Sequence, residues 1–312
     1  MMAYQQERSK IYLFLLWAVI LCHSIPAFSQ AKSPVIDFAS DTQAPMFVEK
    51  LFLRSNHNEQ ATGLIFKDIA TRQPSGLFIL GDVVALGFEN SKWTAMDAYL
   101  KTLKDLKIPV YAALGNHELM FNAAKGERRF QKRFSMHNPT GYVETIDSVA
   151  VILLNSNFTK MKASAIKKQD DWYKNTLQKL DTDAAVKFVI VGCHHSPYTN
   201  SRVVTPSIAV QQKFARPFLQ SKKCVLFLSG HSHNFERFKV EGKQFVVIGG
   251  GGGIHQPLYG SNLKAVDLAA GYKPMFHYLE VTRLKNSLQV TSRQLGADFS
   301  GFTDGLTFTV TE

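Results

Sequence analysis

The feature that most constrains the fold is an alternation of short apolar runs with longer segments of helical period, which begins near residue 34. The first six runs cover residues 35–39, 77–80, 110–114, 149–154, 187–193 and 224–228. The segments between them place apolar residues on one helical face over residues 59–71, 92–107, 162–180 and 206–220. Because strands here alternate with helices, the pattern predicts an α/β protein built on a sheet and argues against a helical bundle.

After Gly230 the pattern changes to strands alone, over residues 235–240, 244–248, 278–282, 288–294 and 306–310. No linker or repeat separates these strands from the earlier part of the chain. The chain has 312 residues, 45% of them hydrophobic and 20% charged, which is the balance of a folded globular protein and argues against disorder. We therefore predict a single domain over residues 34–312.

The first 29 residues have the features of a cleavable signal peptide. Arg8 and Lys10 precede an apolar run over residues 11–22, and small residues near Ser29 supply a cleavage site. The run is too short for a membrane span of about 20 residues, and bulky Leu21 argues against a lipid anchor on Cys22. The sequence thus predicts a periplasmic or secreted protein without a stable membrane anchor.

Charge and cysteine content restrict the partners only weakly. The net charge of +11 would fall by one unit on loss of residues 1–29, and it favours anionic substrates through long-range attraction. The basic residues form no dense or aromatic-interleaved block, so no specific signal for nucleic-acid binding is present. Cys193 and Cys224 lie in strand-like runs and are predicted to be buried thiols, with a single bridge possible if their strands are neighbours. The sequence does not indicate the oligomeric state.

Clusters of potential metal ligands follow five of the predicted strands. These clusters are Asp41-Thr42-Gln43, Gly81-Asp82, Gly115-Asn116-His117-Glu118, His194-His195 and Gly230-His231-Ser232-His233. Each is weak evidence alone, but strand ends in a layered sheet meet at one edge, so these side chains are expected to converge there. The mixture of carboxylate, amide and imidazole donors suits Mn, Zn or Fe better than Mg or Ca.

In these clusters and their order, the chain resembles the calcineurin-like metallophosphoesterases over most of residues 34–255. The resemblance is strongest at Gly81-Asp82, at Gly115 to Glu118 and at Gly230 to His233. It implies a four-layer αββα sandwich, in which two mixed β-sheets are flanked by helices. It also implies an enzyme that hydrolyses phosphate mono- or diesters with two divalent metal ions and a metal-bridging hydroxide.

The resemblance further implies a role for each position. Asp41 and His233 would bind the first metal, Asp82 would bridge both metals, and Asn116 and His231 would bind the second. A histidine of the His194-His195 pair would complete the second site, and the His-x-Pro pattern of His195-Ser196-Pro197 favours His195, with His194 as the alternative. His117 would bind no metal and would act as the catalytic acid toward the departing oxygen or would otherwise steady the phosphoryl group.

The first cluster departs from the family pattern, which has histidine where this chain has Gln43. An amide oxygen is a weaker ligand than imidazole for Zn or Fe, so the first site is predicted to bind its metal more weakly or to prefer a harder ion. Purple acid phosphatases, a branch that the Ser196-Pro197-Tyr198 segment and the glycine run at positions 249–253 resemble, also lack that histidine and use a tyrosine three residues after the bridging aspartate. Ala85 occupies that position here, which argues against a tyrosinate-bound ferric centre.

The expected activity is that of an exported phosphoesterase acting on a small phosphorylated substrate, which His194, Tyr198 or His255 could contact. A binding or scaffold protein with a weakened metal site is the alternative that Gln43 suggests. A nuclease is a further alternative, but only the positive charge supports it. The five glycines at positions 249–253 fit either a flexible surface turn or a backbone that closely approaches the metal edge.

Overall fold

The computed structural model describes residues 33–259 and 265–311. The predicted signal peptide, residues 1–29, lies outside the described residues. Within the described ranges, no helix is long and apolar enough to cross a membrane. Residues from Pro34 onward form one compact unit.

Twelve strands are present in the described part of the chain, and they form two six-stranded sheets. The strands of the first sheet are β1 (Val35–Ala39), β2 (Gly76–Ile79), β3 (Val110–Ala112), β10 (His277–Leu284), β11 (Ser287–Leu295) and β12 (Phe302–Val310), in the spatial order β12-β11-β10-β1-β2-β3. The second sheet contains β4 (Tyr142–Ile146), β5 (Val149–Leu154), β6 (Phe188–Cys193), β7 (Cys224–Ser229), β8 (Phe235–Val240) and β9 (Lys243–Ile248), in the order β4-β5-β6-β7-β9-β8.

Both sheets are mixed. In the first, β1, β2 and β3 are parallel neighbours, whereas β10 pairs antiparallel with β1 and continues into β11 and β12. In the second, β5, β6, β7 and β9 are parallel, and β4 and β8 close the two edges as antiparallel strands. The parallel strands of each sheet therefore end at one common edge, from which the ligand clusters emerge.

The helices are α1 (Phe47–Phe52), α2 (Asn58–Arg72), α3 (Thr94–Asp105), α4 (Ala123–Arg133), α5 (Ala163–Thr182), α6 (Ile208–Val210) and α7 (Arg216–Gln220). Side chains of α2, α3 and α4 pack on the outer face of the first sheet, and Tyr173, Phe214 and Phe218 pack on the outer face of the second. A third apolar cluster lies between the sheets and joins β1, β5 and β7 through residues such as Phe38, Val151 and Leu228. These layers confirm the predicted four-layer αββα sandwich.

Three elements were absent from the sequence prediction, namely α1, α4 and β4. In α4 only Gly126 and Phe130 are buried, so its sequence has few apolar residues to mark a helical face, and α1 buries no residue at all. Strand β4 is an edge strand with a half-polar sequence, and its pairing with β5 holds it in place. Tertiary contacts, which periodicity does not report, hold α4 and β4, whereas α1 is capped locally by Glu49.

The two cysteines lie in the neighbouring strands β6 and β7, and both are free thiols. Cys193 lies opposite Ser229, and Cys224 lies opposite Val189, so the register keeps them at different heights in the sheet. Burial raises the pKa of the Cys193 thiol well above its usual range and that of Cys224 to about 12. The prediction of buried thiols is confirmed, and no bridge joins them.

Candidate metal centre

Three candidate ligands stand at sharp turns in the backbone. Asp41, Asp82 and His231 have φ angles of 58°, 48° and 66°, in the left-handed region that few side chains other than those of Asn, Asp and His adopt. Each turn follows the end of a strand, β1, β2 or β7, and redirects the side chain across the end of the sandwich. Backbone strain of this kind tends to persist where surrounding structure holds a functional group in place.

The second predicted metal position is the densest group of donor atoms. His194 Nε2 lies 3.1 Å from Asp82 Oδ2 and 3.0 Å from Asn116 Oδ1. Single ligand atoms of Asp82, His194 and His231 all lie within 4.8 Å of one another. These donors come from both sheets, because Asp82 and Asn116 follow β2 and β3 whereas His194 and His231 follow β6 and β7.

The hydrogen bonding of His194 shows why this group suits a cation. Its Nδ1 donates to the carbonyl oxygen of Leu80 at 3.1 Å, so Nε2 faces the oxygens of Asp82 and Asn116. Burial alone would lower the pKa of His194, but the Asp82 carboxylate raises it to about 9. The same histidine, together with His117, holds the pKa of Asp82 well below its usual range despite burial. A proton or a metal ion is thus favoured at this point, and the donor set fits a divalent cation.

The first predicted position contains Asp41, His233 and Gln43. His233 Nε2 lies 3.4 Å from Asp41 Oδ1, while Nδ1 bonds the carbonyl oxygen of Ile254 at 2.8 Å and fixes the ring. The Gln43 amide is best satisfied when its nitrogen donates to the carbonyl oxygens of Asp82 and Asp41, at 2.9 and 3.1 Å. The amide oxygen then faces His233 Nε2, 3.3 Å away, where it could serve as the weak ligand expected of Gln43.

His117 lies beside these positions but makes different contacts. Its backbone N–H donates to Asp82 Oδ1 at 2.8 Å, and its Nδ1 donates to the carbonyl oxygen of Ala85 at 3.0 Å. Nε2 is 3.7 Å from Asp82 Oδ2, so it is directed toward the donor group without entering it. This arrangement suits a proton donor to a substrate that lies beside the second metal position.

The structure brings His194, and not the preferred His195, into the donor group. Strand β6 ends at Cys193, and both histidines lie in the bend that follows, with their ring centroids 5.0 Å apart and their ring planes 82° apart. His195 points aside, where its Nδ1 bonds Ser156 Oγ at 2.8 Å and its ring centroid lies 4.5 Å from that of His231. The His-x-Pro pattern does not reveal this orientation, and the geometry favours the alternative, His194.

Two supporting residues had no assigned role in the sequence analysis. Glu118 accepts hydrogen bonds from the backbone N–H groups of Asp82, Val84 and Gly115, at 3.0, 3.1 and 2.8 Å, and thereby ties two ligand loops together. Ser156, after β5, orients His195 through its backbone and its ring. Glu118 stood in a recognised cluster, whereas nothing in the sequence around Ser156 signals its contact with a residue 39 positions away.

The glycine run is buried and lies behind the ligand loops. Gly251 and Gly253 donate their N–H groups to the carbonyl oxygens of Ser40 and Asp41, at 2.9 and 2.8 Å. A Cβ on Gly253 would lie 2.5 to 2.8 Å from the ring of His233. The run therefore permits close backbone approach to the metal edge, and it is not a flexible surface turn.

The two remaining predicted substrate contacts have different surroundings. Tyr198 packs its ring against Phe245 on the outer face of the second sheet, at a centroid distance of 5.0 Å, which is away from the donor group. His255 follows Ile254, the residue that bonds His233, and lines a cleft of about 990 Å³ with Arg54, His57 and Met275. Of the two, only His255 adjoins the candidate centre.

Comparison with solved structures finds the same fold in distant proteins. A purple acid phosphatase from yellow lupin is 17% identical with a TM-score of 0.65; the alignment covers 90% of this chain and 54% of that one, so the chain spans about half its length. GAP50, the anchor in the inner membrane complex of Plasmodium, is 13% identical with a TM-score of 0.63, covering 90% of this chain and 89% of GAP50. A dimetal phosphatase from Danio rerio is 12% identical with a TM-score of 0.57, and the alignment covers 90% of this chain and 99% of that one.

A search of curated proteins found no match. The family model of the calcineurin-like phosphoesterases matches residues 34–235, which is more than half of the chain and includes all five ligand clusters. The fold, the donor group and this match agree, and the chain belongs to the calcineurin-like phosphoesterase family.

Proposed function

We propose that this phosphoesterase is an exported enzyme that hydrolyses phosphate mono- or diesters with two divalent ions. The observation that carries the proposal is the convergence of Asp82 Oδ2, Asn116 Oδ1 and His194 Nε2 at about 3 Å, beside His231. Export rests on the predicted signal peptide alone.

Each ion would have its own ligands and would share Asp82. Asp82, Asn116, His194 and His231 would hold the second ion. Asp41, Asp82 and His233 would hold the first, with the amide oxygen of Gln43 as a weaker ligand. Bound divalent ions, with Mn, Zn or Fe as candidates, would neutralise the phosphoryl oxygens and lower the pKa of the attacking water.

The chain's own residues would position and protonate the reacting groups. His117 would donate the proton on Nε2 to the ester oxygen as the P–O bond breaks, and the phosphorus would take up the oxygen of water. The hydrogen bond from Nδ1 to Ala85 keeps Nε2 directed inward for this step. His195, oriented by Ser156, would contact the phosphoryl group, so the roles proposed for His194 and His195 are the reverse of those predicted from the sequence.

The test is hydrolysis of chromogenic phosphate mono- and diesters by the purified protein with added Mn. Asp82→Ala should abolish turnover, because it removes the shared ligand. Equal rates for the wild-type protein and this variant would refute the proposal.

Gln43 favours a second candidate, a binding or scaffold protein on the same fold, and GAP50, which has a similar fold, is the anchor in the inner membrane complex of Plasmodium. A neutral amide in the first position could leave that site without a metal at physiological concentrations. Elemental analysis would decide: one ion or none per chain in excess Mn or Zn, with no ester cleaved, would favour the scaffold.

A further inference from the structure

Exposed apolar side chains stand next to the ligand loops. Helix α1 begins four residues after Gln43 and buries none of its residues. Phe47 and Phe52 in this helix are 79% and 82% exposed, and Phe121, three residues after Glu118, is also 82% exposed. Large aromatic side chains that are exposed to water beside a candidate active site indicate a surface that a membrane or another molecule covers.

These side chains lie along one edge of the sandwich. Helix α1 follows β1, and Phe121 follows β3, and both strands run parallel to β2, so their carboxyl ends share the edge that carries Asp82. Val203, which is 50% exposed, follows β6 and the His194 loop. We call the exposed residues on these ligand-bearing loops the apolar rim, comprising Phe47, Leu51, Phe52, Phe121 and Val203.

Cations are interspersed with the apolar rim. In α1, Lys50 lies between the two phenylalanines, and Arg54 follows them. Lys125 and Arg128 follow Phe121, and Arg202 precedes Val203. All five of these cations are exposed. None of them forms an ion pair with a described residue.

The one acid within α1, Glu49, is turned toward the start of its own helix. The carboxylate of Glu49 accepts a hydrogen bond from the backbone N–H of Met46, at 2.6 Å, and so caps the start of its own helix. Aromatic side chains among unpaired cations suit a surface that combines apolar chains with anionic phosphate groups.

The position of the apolar rim distinguishes among possible occupants. A protein seated on loops that surround the metal edge would cover that edge and exclude substrate. A lipid layer would cover the same loops and would itself supply phosphate esters to Asp82. A small polar phosphate would use the donor group but leave the aromatic side chains in water.

We propose that the apolar rim inserts into anionic phospholipid surfaces and that the substrate class is a phosphate ester of an amphiphile presented at such a surface. The substrate part of this inference rests on the proposed function, whereas the binding of the surface does not. Phe47, Phe52 and Phe121 would enter the acyl boundary while the neighbouring lysines and arginines contact the head groups.

The first experiment measures binding without turnover. The protein is sedimented with phosphatidylcholine vesicles and with vesicles that also contain phosphatidylglycerol. We expect binding to the anionic vesicles that weakens in high salt. The double variant Phe47→Ser, Phe52→Ser and the variant Phe121→Ser should each bind about tenfold less or weaker still.

The matched control is Met136→Ser. Met136 is 56% exposed and follows the far end of α4, roughly 16 Å of helix away from Phe121, so this variant should bind as the wild type does. Because residues 11–22 are apolar, all proteins are compared with the same N-terminus, and any contribution of that segment cancels.

The outcomes separate this proposal from the general activity. Retained hydrolysis of a soluble chromogenic ester by the rim variants, with loss of hydrolysis of phosphatidic acid in vesicles, would support it. Equal vesicle binding by wild type and rim variants would overturn it. The proposal would also be overturned if the protein bound no vesicles and formed a dimer that the same substitutions dissociate. The apolar rim would then bind a second copy of the chain. Failure of the wild type on every ester, with rim-dependent vesicle binding intact, would refute only the proposed function and the substrate class that depends on it.

Discussion

At the scale of single residues, the adjacent histidines 194 and 195 have opposite surroundings. His194 is fully buried among oxygen donors, whereas His195 is half-buried and bonded to Ser156. Burial and the neighbouring His194 lower the pKa of His195 to about 3, and the Asp82 carboxylate raises that of His194 to about 9 despite burial. One imidazole therefore favours a positive partner at Nε2, and the other remains neutral.

Substitution of the two histidines should separate metal binding from substrate binding. His194→Ala should lose the second ion and reduce turnover by about a hundredfold or more, because a ligand is missing. His195→Ala should keep its metal content and mainly raise KM. Elemental analysis and steady-state kinetics on both variants provide the measurement, and a metal-free His195→Ala with a loaded His194→Ala would reverse the assignment.

His137 should make the folded protein sensitive to acid. It is buried between Phe130 and Tyr142, neither of its ring nitrogens has a hydrogen-bond partner among the described residues, and burial lowers its pKa to about 4. The unfolded chain, with a pKa near 6.5, binds more protons between pH 6.5 and 4, so this contribution to stability is complete above pH 6.5 and is lost as the pH falls.

The expected loss from His137 between pH 7 and pH 5 is about 2 kcal/mol in the free energy of unfolding. His137→Phe retains a planar ring without a titrating group and should lack this loss. Urea unfolding of both proteins at the two pH values tests the difference, in which the other titrating groups cancel. An identical pH dependence in the variant would contradict the prediction.

At the scale of elements, the glycine run after β9 joins the loops that carry the first metal position. Its backbone bonds the loop of Asp41, and Asn58 in α2 donates its amide to the carbonyl oxygen of Gly252 at 2.8 Å. Side chains at three of these positions would press on the loops of β1 and β7, since a Cβ on Gly251 would meet Ser40 and Cβ atoms on Gly249 and Gly253 would meet Ser232 and His233.

Gly253→Ala should displace the His233 ring, because the added Cβ would stand 2.5 Å from its Cε1. Affinity for the first ion should fall about 10- to 100-fold, as expected when a ligand loses its orientation. Metal titration of the purified protein measures this effect. Gly271→Ala is the control, since a Cβ there meets no atom within 4 Å, and an equal loss of affinity in this control would remove the explanation.

At the scale of the whole molecule, the candidate centre joins the two sheets. Asp41, Asp82 and Asn116 belong to loops of the first sheet, and His194, His231 and His233 belong to loops of the second. A bound ion would link the two sheets at the edge that carries the ligand loops. Because the ion would be released on unfolding, metal binding would stabilise the folded protein.

Excess Mn should therefore raise the thermal midpoint by about 5 °C or more over the chelated protein, the shift expected for an ion at about 100 times its Kd. Asp82→Asn should show little of this shift, because the shared carboxylate is missing. Scanning calorimetry with Mn and with chelator measures both. A metal-induced shift of equal size in the variant would place the stabilising ion elsewhere.

The sequence by itself determined that the chain is an α/β protein built on a sheet, and it set the order of the ligand clusters. Both depend on local patterns: apolar runs of strand length, helical period between them, and polar residues where each strand ends. Gln43 and Ala85 were also visible as departures from the family pattern, because identity at a position needs no coordinates.

The tertiary structure decided what depends on direction and on distant contacts. It placed His194 beside Asp82 and His195 beside Ser156, because the bend after β6 orients the two rings differently. It also held α4 and β4 in place, packed Tyr198 on the outer face of the second sheet, and revealed Glu118 and Ser156 as supports. These features arise from contacts between segments far apart in the chain, whose free energy no local pattern records.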